Sequence, residues 1–166
     1  MNPADERWVQ NLFETNAPLI YKVAARRLES ESAAENIVQE TFLALVEKID
    51  VVKRHPNPSG WLMKAAQYLI LQTIRESGRQ SEHEVPMDGA ALSKGTPFEE
   101  PESLRDLLPE GLTQREREML IWLYEDGLSY EEIAARRGIT VVTCRTQMFR
   151  ARKHCKKLLE EEKFSD

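Results

Sequence analysis

Apolar residues in this 166-residue chain recur at intervals of three and four positions, and almost nowhere in alternation. A period near 3.6 places such residues on one face of an α-helix, whereas a half-buried strand needs a period of two. The sequence therefore predicts an all-α fold. Its 41% hydrophobic content is enough for a buried core, and the length allows one domain or two small ones.

One long segment interrupts the helical pattern. Residues 76–111 hold four of the 7 glycines and four of the 8 prolines, without sustained periodicity. Both residue types end helices, and so long a loop is unusual inside one compact domain. We expect two small helical domains, an N-terminal three- or four-helix bundle (1–78) and a C-terminal domain (109–166), joined by a flexible acidic linker (79–108).

Three helices are predicted in the N-terminal domain. The first carries Leu19 and Val23 on its apolar face. The second is expected to begin at Ser32, because Ser32 and Glu35 have the spacing of a capping box. The third starts near Asn57, since the proline that follows suits the first turn of a helix.

The C-terminal domain has the outline of a helix-turn-helix. Thr113 and Ser129 each open the pattern of a capping box, so each is expected to begin a helix. Gly138 then indicates a turn, and Thr140 can cap a last helix over 141–159. A short helix, a glycine-containing turn and a longer helix are typical of domains that bind duplex DNA.

Charge is distributed unevenly along the chain. The formal net charge is -5, yet residues 136–157 contain eight Lys or Arg and no acid. In the last helix, the face opposite the apolar stripe combines cations with short polar groups. Such a face can neutralise phosphates and approach base edges in a major groove. The sequence predicts DNA binding by Arg145, Thr146, Phe149, Arg150 and Lys153.

The two cysteines belong to the apolar stripe of the last helix, and we expect them to be buried thiols. The stripe consists of Val141, Cys144, Met148, Ala151, Cys155 and Leu158. Eleven positions separate the cysteines, which on one helix places their Cα atoms about 16 Å apart, too far for a disulfide. His154 has no second pair of ligands beside it, so we expect neither a metal nor a cofactor.

Other functional classes find no support in the sequence. No apolar run reaches the roughly 18–20 residues of a membrane span, and the N-terminus lacks a signal-peptide pattern. We expect a cytoplasmic protein without membrane insertion. The three histidines are scattered and no glycine-rich phosphate loop occurs, so we expect no enzymatic activity.

Motifs in both domains resemble one family. Residues 118–134 and 138–153 resemble the promoter-reading C-terminal domain of bacterial sigma factors of the extracytoplasmic-function (ECF) group. Val38-Gln-Glu-Thr-Phe42 is similar to that group's polymerase-binding helix, and Gly60-Trp-Leu-Met-Lys-Ala-Ala66 to its Trp-Leu-x-x-Ile-Ala segment. The resemblance covers nearly the whole chain apart from the linker.

The resemblance implies an alternative sigma factor that binds core RNA polymerase and directs promoter recognition and transcription initiation. It also implies an anti-sigma factor as a partner, and association with the nucleoid when the protein is bound to polymerase. The N-terminal domain corresponds to region 2 and the C-terminal domain to region 4. The implied contacts are Gln39 and Glu40 for polymerase; Tyr68, Gln72 and Arg75 for the -10 element; and Arg145, Thr146, Phe149 and Arg150 for the -35 element.

This chain departs from the group's pattern at several positions. On the third helix, Gln67-Tyr68 and Gln72 replace Arg-Asn and Asp, and on the last helix Val142 replaces a usual glycine and Gln147 a usual arginine. Residues 33–36 carry fewer acids than the group does. Two alternatives are a helix-turn-helix regulator of the response-regulator kind and an adaptor that binds polymerase without melting promoters.

Overall fold

The computed structural model describes residues 1–84 and 103–164, and the side chains of 1–78 and 103–162. These residues form helices and no strand, so the predicted all-α class is confirmed. The helices are α1 (Pro3–Leu28), α2 (Glu31–Glu47), α3 (Ile49–Lys53), α4 (Pro58–Glu84), α5 (Leu104–Leu107), α6 (Gln114–Tyr124), α7 (Tyr130–Arg137) and α8 (Val141–Phe164). We refer to α1–α4 as the N-terminal domain and to α5–α8 as the C-terminal domain.

Helix starts in the C-terminal domain follow their sequence signals. Thr113 and Ser129 each form a complete capping box, with Glu116 and Glu132 respectively. In each box the hydroxyl accepts a hydrogen bond from the backbone N–H of the glutamate, and the carboxylate of that glutamate accepts one from the backbone N–H of the cap residue. The hydroxyl of Thr140 accepts a hydrogen bond from the backbone N–H of Thr143 at 3.1 Å, at the start of α8. These three predictions are confirmed.

The predicted start of α2 at Ser32 is wrong. Ser30 is the N-cap, and its hydroxyl accepts a hydrogen bond from the Ala33 N–H at 3.2 Å. The physical reason lies at the end of α1, where Glu29 has a φ of 53° in the left-handed region. The chain therefore turns sharply, and Ser30 is already extended and free to cap, whereas Ser32 lies inside the helix.

The N-terminal domain is a bundle in which α1, α2 and α4 pack against one another. Its fully buried side chains are mostly aliphatic. Burial of each such side chain stabilises the fold by about 1.5–3 kcal/mol relative to leaving it exposed to water. Residues of this core include Leu19, Ile20, Val23, Ile37, Leu45, Val52, Leu62, Met63 and Ile70. Within the described residues, no helix combines the length and apolar content that crossing a membrane requires.

The core of the C-terminal domain lies between α6, α7 and the apolar stripe of α8. Cys144, Met148, Ala151 and Cys155 are all buried, and both cysteines are free thiols as predicted. Burial raises the pKa of Cys155 to about 12, so its thiol remains protonated at neutral pH.

The two domains pack against each other, through α1 with α8 and through α4 with α6. The amide of Asn57 donates hydrogen bonds to the backbone carbonyls of Leu123 at 2.7 Å and Leu128 at 2.9 Å. Nearby, the guanidinium of Arg152 donates to the Ser59 hydroxyl at 3.0 Å. Polar groups therefore contribute to the domain interface, and no sequence pattern predicts these contacts.

The linker predicted over 79–108 falls only partly within the described residues. Helix α4 continues through its first residues to Glu84, and α5 occupies residues 104–107. Residues 85–102 lie outside the described part of the chain.

Candidate nucleic-acid interface

The turn between α7 and α8 sets the direction of α8. Gly138 ends α7 with a φ of 67°, a left-handed conformation that glycine adopts without strain. The N–H of Ile139 then donates to the carbonyl of Ala134 at 3.0 Å, which closes the turn. Helix α8 therefore starts as a separate helix and packs its apolar stripe against α6 and α7.

The five residues predicted to bind DNA all lie on one exposed surface, which we call the outer face of α8. It consists of Arg145, Thr146, Phe149, Arg150 and Lys153. The guanidinium carbon of Arg145 lies 5.9 Å from the centre of the Tyr130 ring, a cation–π contact that orients the side chain without neutralising it. The outer face is thus a cationic surface that α8 presents to solvent.

Two acids of the C-terminal domain are engaged within it. Glu132 accepts a hydrogen bond from the backbone N–H of Ser129 at 3.1 Å within its capping box. That bond, with a second one involving the Ser129 hydroxyl, lowers the pKa of Glu132 and keeps it ionised. Both oxygens of Glu116 lie 3.0 Å from Nδ1 of His154, on the other side of α8.

Not every cation of α8 belongs to the outer face. Arg152 is half-buried and reaches the N-terminal domain at Ser59, and Lys156 lines the groove between α1, α2 and α8. The cations of residues 136–157, the segment without acids, therefore include some that face solvent and some that face the other domain. Among the described residues, no group of three or more His, Cys, Asp or Glu side chains could hold a metal ion.

The residues that the resemblance relates to the -10 element share one face of α4. Tyr68 is 60% exposed, Arg75 is exposed and Gln72 is half-buried between them. The Gln72 amide donates to the Tyr68 hydroxyl at 3.1 Å, which holds the ring against the helix. Asn57 and the first turn of α4 are covered by the C-terminal domain, whereas these three side chains lie more than two turns further along.

Gln39 and Glu40, related by resemblance to polymerase binding, are exposed on α2. Beside them the structure exposes two apolar side chains that the sequence reasoning missed, Leu43 at 61% and Val46 at 40%. A signal was available, because Leu43 follows the buried Phe42 directly and makes the apolar stripe wider than the bundle can cover. The combined surface has apolar residues beside polar ones.

Comparisons with known proteins agree in both domains. The family model described as sigma-70 region 2 matches residues 12–80, and the one described as sigma-70, region 4, matches residues 104–155. A helix-turn-helix regulator of the response-regulator kind would account for the second match and not for the first. The paired matches therefore favour the sigma-factor resemblance over that alternative.

Individual relatives align over most of the chain. The RNA polymerase sigma factor CarQ of Myxococcus xanthus is 27% identical over 155 residues, which cover 92% of this chain and 89% of the relative. The ferric citrate uptake sigma factor FecI of Escherichia coli strain K12 is 26% identical, with 88% and 87% covered. The ECF RNA polymerase sigma factor EcfG of Rhodopseudomonas palustris strain TIE-1 is 33% identical over 135 residues, with 76% and 71% covered.

Proposed function

Because this chain belongs to the sigma factors of bacterial RNA polymerase, in the extracytoplasmic-function group, we propose specific contacts for α2, α4 and α8. As a member of the family it is an alternative sigma factor that binds core RNA polymerase and directs promoter recognition and transcription initiation. Control by an anti-sigma factor is typical of the family. Sigma factors are non-catalytic, and we propose that this chain has no enzymatic activity and acts in the cytoplasm, on the nucleoid when polymerase-bound.

The outer face of α8 reads duplex DNA at the -35 element. The observation that carries this proposal is the exposure of Arg145, Arg150 and Lys153 on a helix whose opposite side is buried. Phosphates would supply counter-charges for these cations. Side chains on a helix lying in the major groove can reach base edges, and arginine pairs bidentately with guanine.

Helix α2 contacts core RNA polymerase with Gln39, Glu40 and the apolar Leu43 and Val46. Protein interfaces combine an apolar centre with a polar rim, and this surface of α2 has that composition. Leu43, at 61% exposure, makes little contact within its own domain, so its burial against a partner would supply binding energy.

The exposed face of α4 contacts the -10 element after its strands separate. Tyr68 offers a ring on which an unpaired base can stack, and such stacking contributes about 1–3 kcal/mol per base. The hydrogen bond from Gln72 fixes the position of the tyrosine hydroxyl. Arg75, one turn further along, supplies a charge for the phosphate backbone.

Replacing Arg150 tests the contact proposed for α8. We expect Arg150→Ala to weaken binding to the -35 duplex by about 1–3 kcal/mol if the side chain reads a base, or to lower the salt dependence by about one phosphate contact if it does not. The measurement is a fluorescence titration of holoenzyme on a promoter duplex at several salt concentrations.

Arg7→Ala is the matched control, because it removes the same charge from an exposed position on α1. Its affinity for the duplex should equal that of the wild-type protein. Unchanged affinity and unchanged salt dependence for Arg150→Ala would contradict the proposed -35 contact.

A further inference from the structure

We propose that the outer face of α8 includes an apolar strip that reads thymine methyl groups, and that Val142 is a specificity-determining residue of this strip. The strip consists of Val142, Thr146 and Phe149. The inference rests on the proposed reading of duplex DNA by α8 and adds to it the chemical feature that is read.

The exposure of Val142 is the first observation behind this proposal. Val142 is 73% exposed and Phe149 is 61% exposed. Among the described residues of the C-terminal domain, these are the large hydrophobic side chains that stand out in solvent. Both lie on α8, and at 100° per residue they fall within about 60° of each other and of Thr146. The exposed apolar surface of the domain is therefore concentrated at one place.

Folding does not account for a valine at position 142. The side chain is too exposed to contribute much to packing, and a β-branched residue lowers helix propensity relative to alanine. It also occupies the second position of α8, and the first turns of a helix in the major groove are those that reach base edges. Contact with a ligand is a role that this exposed position fits.

Thr146 completes the strip. Its hydroxyl donates a hydrogen bond to the carbonyl of Val142 at 3.2 Å, one turn earlier on α8. The hydroxyl hydrogen is therefore engaged within the helix, which leaves the methyl group and an oxygen lone pair for contacts outside it. Val142 and Thr146 together present methyl groups at neighbouring positions.

Cations flank the strip on both sides. On a helical projection Arg145 lies on one side of Val142, Thr146 and Phe149, and Arg150 lies on the other. A major groove has the complementary arrangement, with phosphates along both walls and base edges between them. The apolar group on those edges is the C5-methyl of thymine, which the minor groove does not display. The strip therefore fits the major groove of DNA that has thymine at the contacted positions.

Deoxyuridine provides a test, because it differs from thymidine by that methyl group alone. Holoenzyme reconstituted with the full chain is first used to select duplexes from a pool with a randomised -35 region. Each thymine of the selected duplex is then replaced, one at a time, by deoxyuridine. For the wild-type protein we expect about fourfold weaker binding at one or more positions, the factor that corresponds to burial of one methyl group.

The same series is measured with Val142→Ala and with Val51→Ala, which truncates an exposed valine on α3. We expect Val142→Ala to abolish the effect of deoxyuridine at one position and Val51→Ala to leave every ratio unchanged. If no position responds in the wild-type protein while Arg150→Ala still weakens binding, the inference is wrong and the -35 contact stands. If Arg150→Ala also has no effect, the -35 contact itself fails. Equal deoxyuridine effects in Val142→Ala and wild type would overturn the role of Val142.

Discussion

Tyr124 joins the two domains through a single buried hydrogen bond. Its hydroxyl donates to the side-chain oxygen of Asn16, and both residues are buried. The amide nitrogen of Asn16 donates to the carbonyl of Leu12 at 2.9 Å, which fixes the side-chain oxygen towards Tyr124. Burial raises the pKa of Tyr124, so the hydroxyl stays protonated and remains the donor. One residue pair therefore couples the stability of both domains.

Removing the tyrosine hydroxyl should destabilise the protein. We expect Tyr124→Phe to lower the free energy of unfolding by about 1–3 kcal/mol, because it leaves the buried oxygen of Asn16 without a donor. Adding Asn16→Leu should recover part of this loss, since the pair then contains no unsatisfied polar atom. Urea denaturation of the two single variants and the double variant measures the coupling. Strictly additive changes would show that the two side chains do not interact.

At the scale of helices, α2 has two faces with different surroundings. One face is buried in the bundle through Ile37, Val38 and Leu45, and the other exposes Glu40 and Leu43. The exposed apolar residue lies one helical turn from the acid, so a partner that covers both needs an apolar surface with a cation beside it.

Reversing the charge of Glu40 tests this surface of α2. We expect Glu40→Lys to weaken binding to core RNA polymerase at least about tenfold. The lysine would repel the cation that we infer on the polymerase surface facing Glu40. Titration of labelled protein with core enzyme gives the affinity. Glu35→Lys is the control, because Glu35 is exposed on the same helix about 140° away. Equal affinities for the two variants would remove Glu40 from the contact.

The helix starts show how far local sequence determines the fold. Capping boxes at Thr113 and Ser129 were predictable because cap and partner lie three residues apart and need no distant contact. The start of α2 was not, because two serines compete for it and the left-handed Glu29 decides between them. A positive φ at a glutamate has no sequence signature.

The candidate sites show the same division between local and distant determinants. The outer face of α8 was predictable because the 3.6-residue period of a helix places the apolar stripe on one side and the remaining residues on the other. The domain interface was not, since Asn57 binds the backbone carbonyls of Leu123 and Leu128, and backbone groups are the same in every sequence. Arg152 was likewise indistinguishable from the other cations of α8 until the fold placed it against Ser59.

At the scale of the whole molecule, the packed domains are too close together to occupy both promoter elements. A compact chain of this length has a radius of gyration of about 15 Å. The -10 and -35 elements lie about 25 base pairs apart, or about 85 Å at 3.4 Å per base pair. The contacts that we propose for α4 and α8 therefore require the two domains to separate before both elements of one promoter are occupied.

Gly60 offers a way to separate the domains by substitution. A Cβ atom at this position would lie 2.6 Å from the amide nitrogen of Asn57 and 3.0 Å from the carbonyl oxygen of Leu123. We expect Gly60→Ala to displace Asn57 and to raise the radius of gyration, measured by small-angle X-ray scattering, above the value of about 15 Å for a compact chain.

Gly78→Ala is the matched control on the same helix. A Cβ atom at Gly78 meets nothing within 4 Å, so this change should favour the helix by about 0.5–1 kcal/mol and leave the radius of gyration unchanged. An unaltered radius for Gly60→Ala would mean that contacts other than Asn57 hold the domains together.

The attachment of Asn57 to main-chain oxygens has a consequence for hybrid proteins. Any residue type at positions 123 and 128 supplies the same two acceptors, so a C-terminal domain transplanted from a relative would meet Asn57 equally well if its loop had the same shape. Within that loop Gly127 is the position whose identity matters most, because its φ of 69° is strained for other residues. At Asn57, compatibility between halves of different origin thus depends on the path of the loop, whereas the contact with Asn16 also requires a tyrosine at position 124.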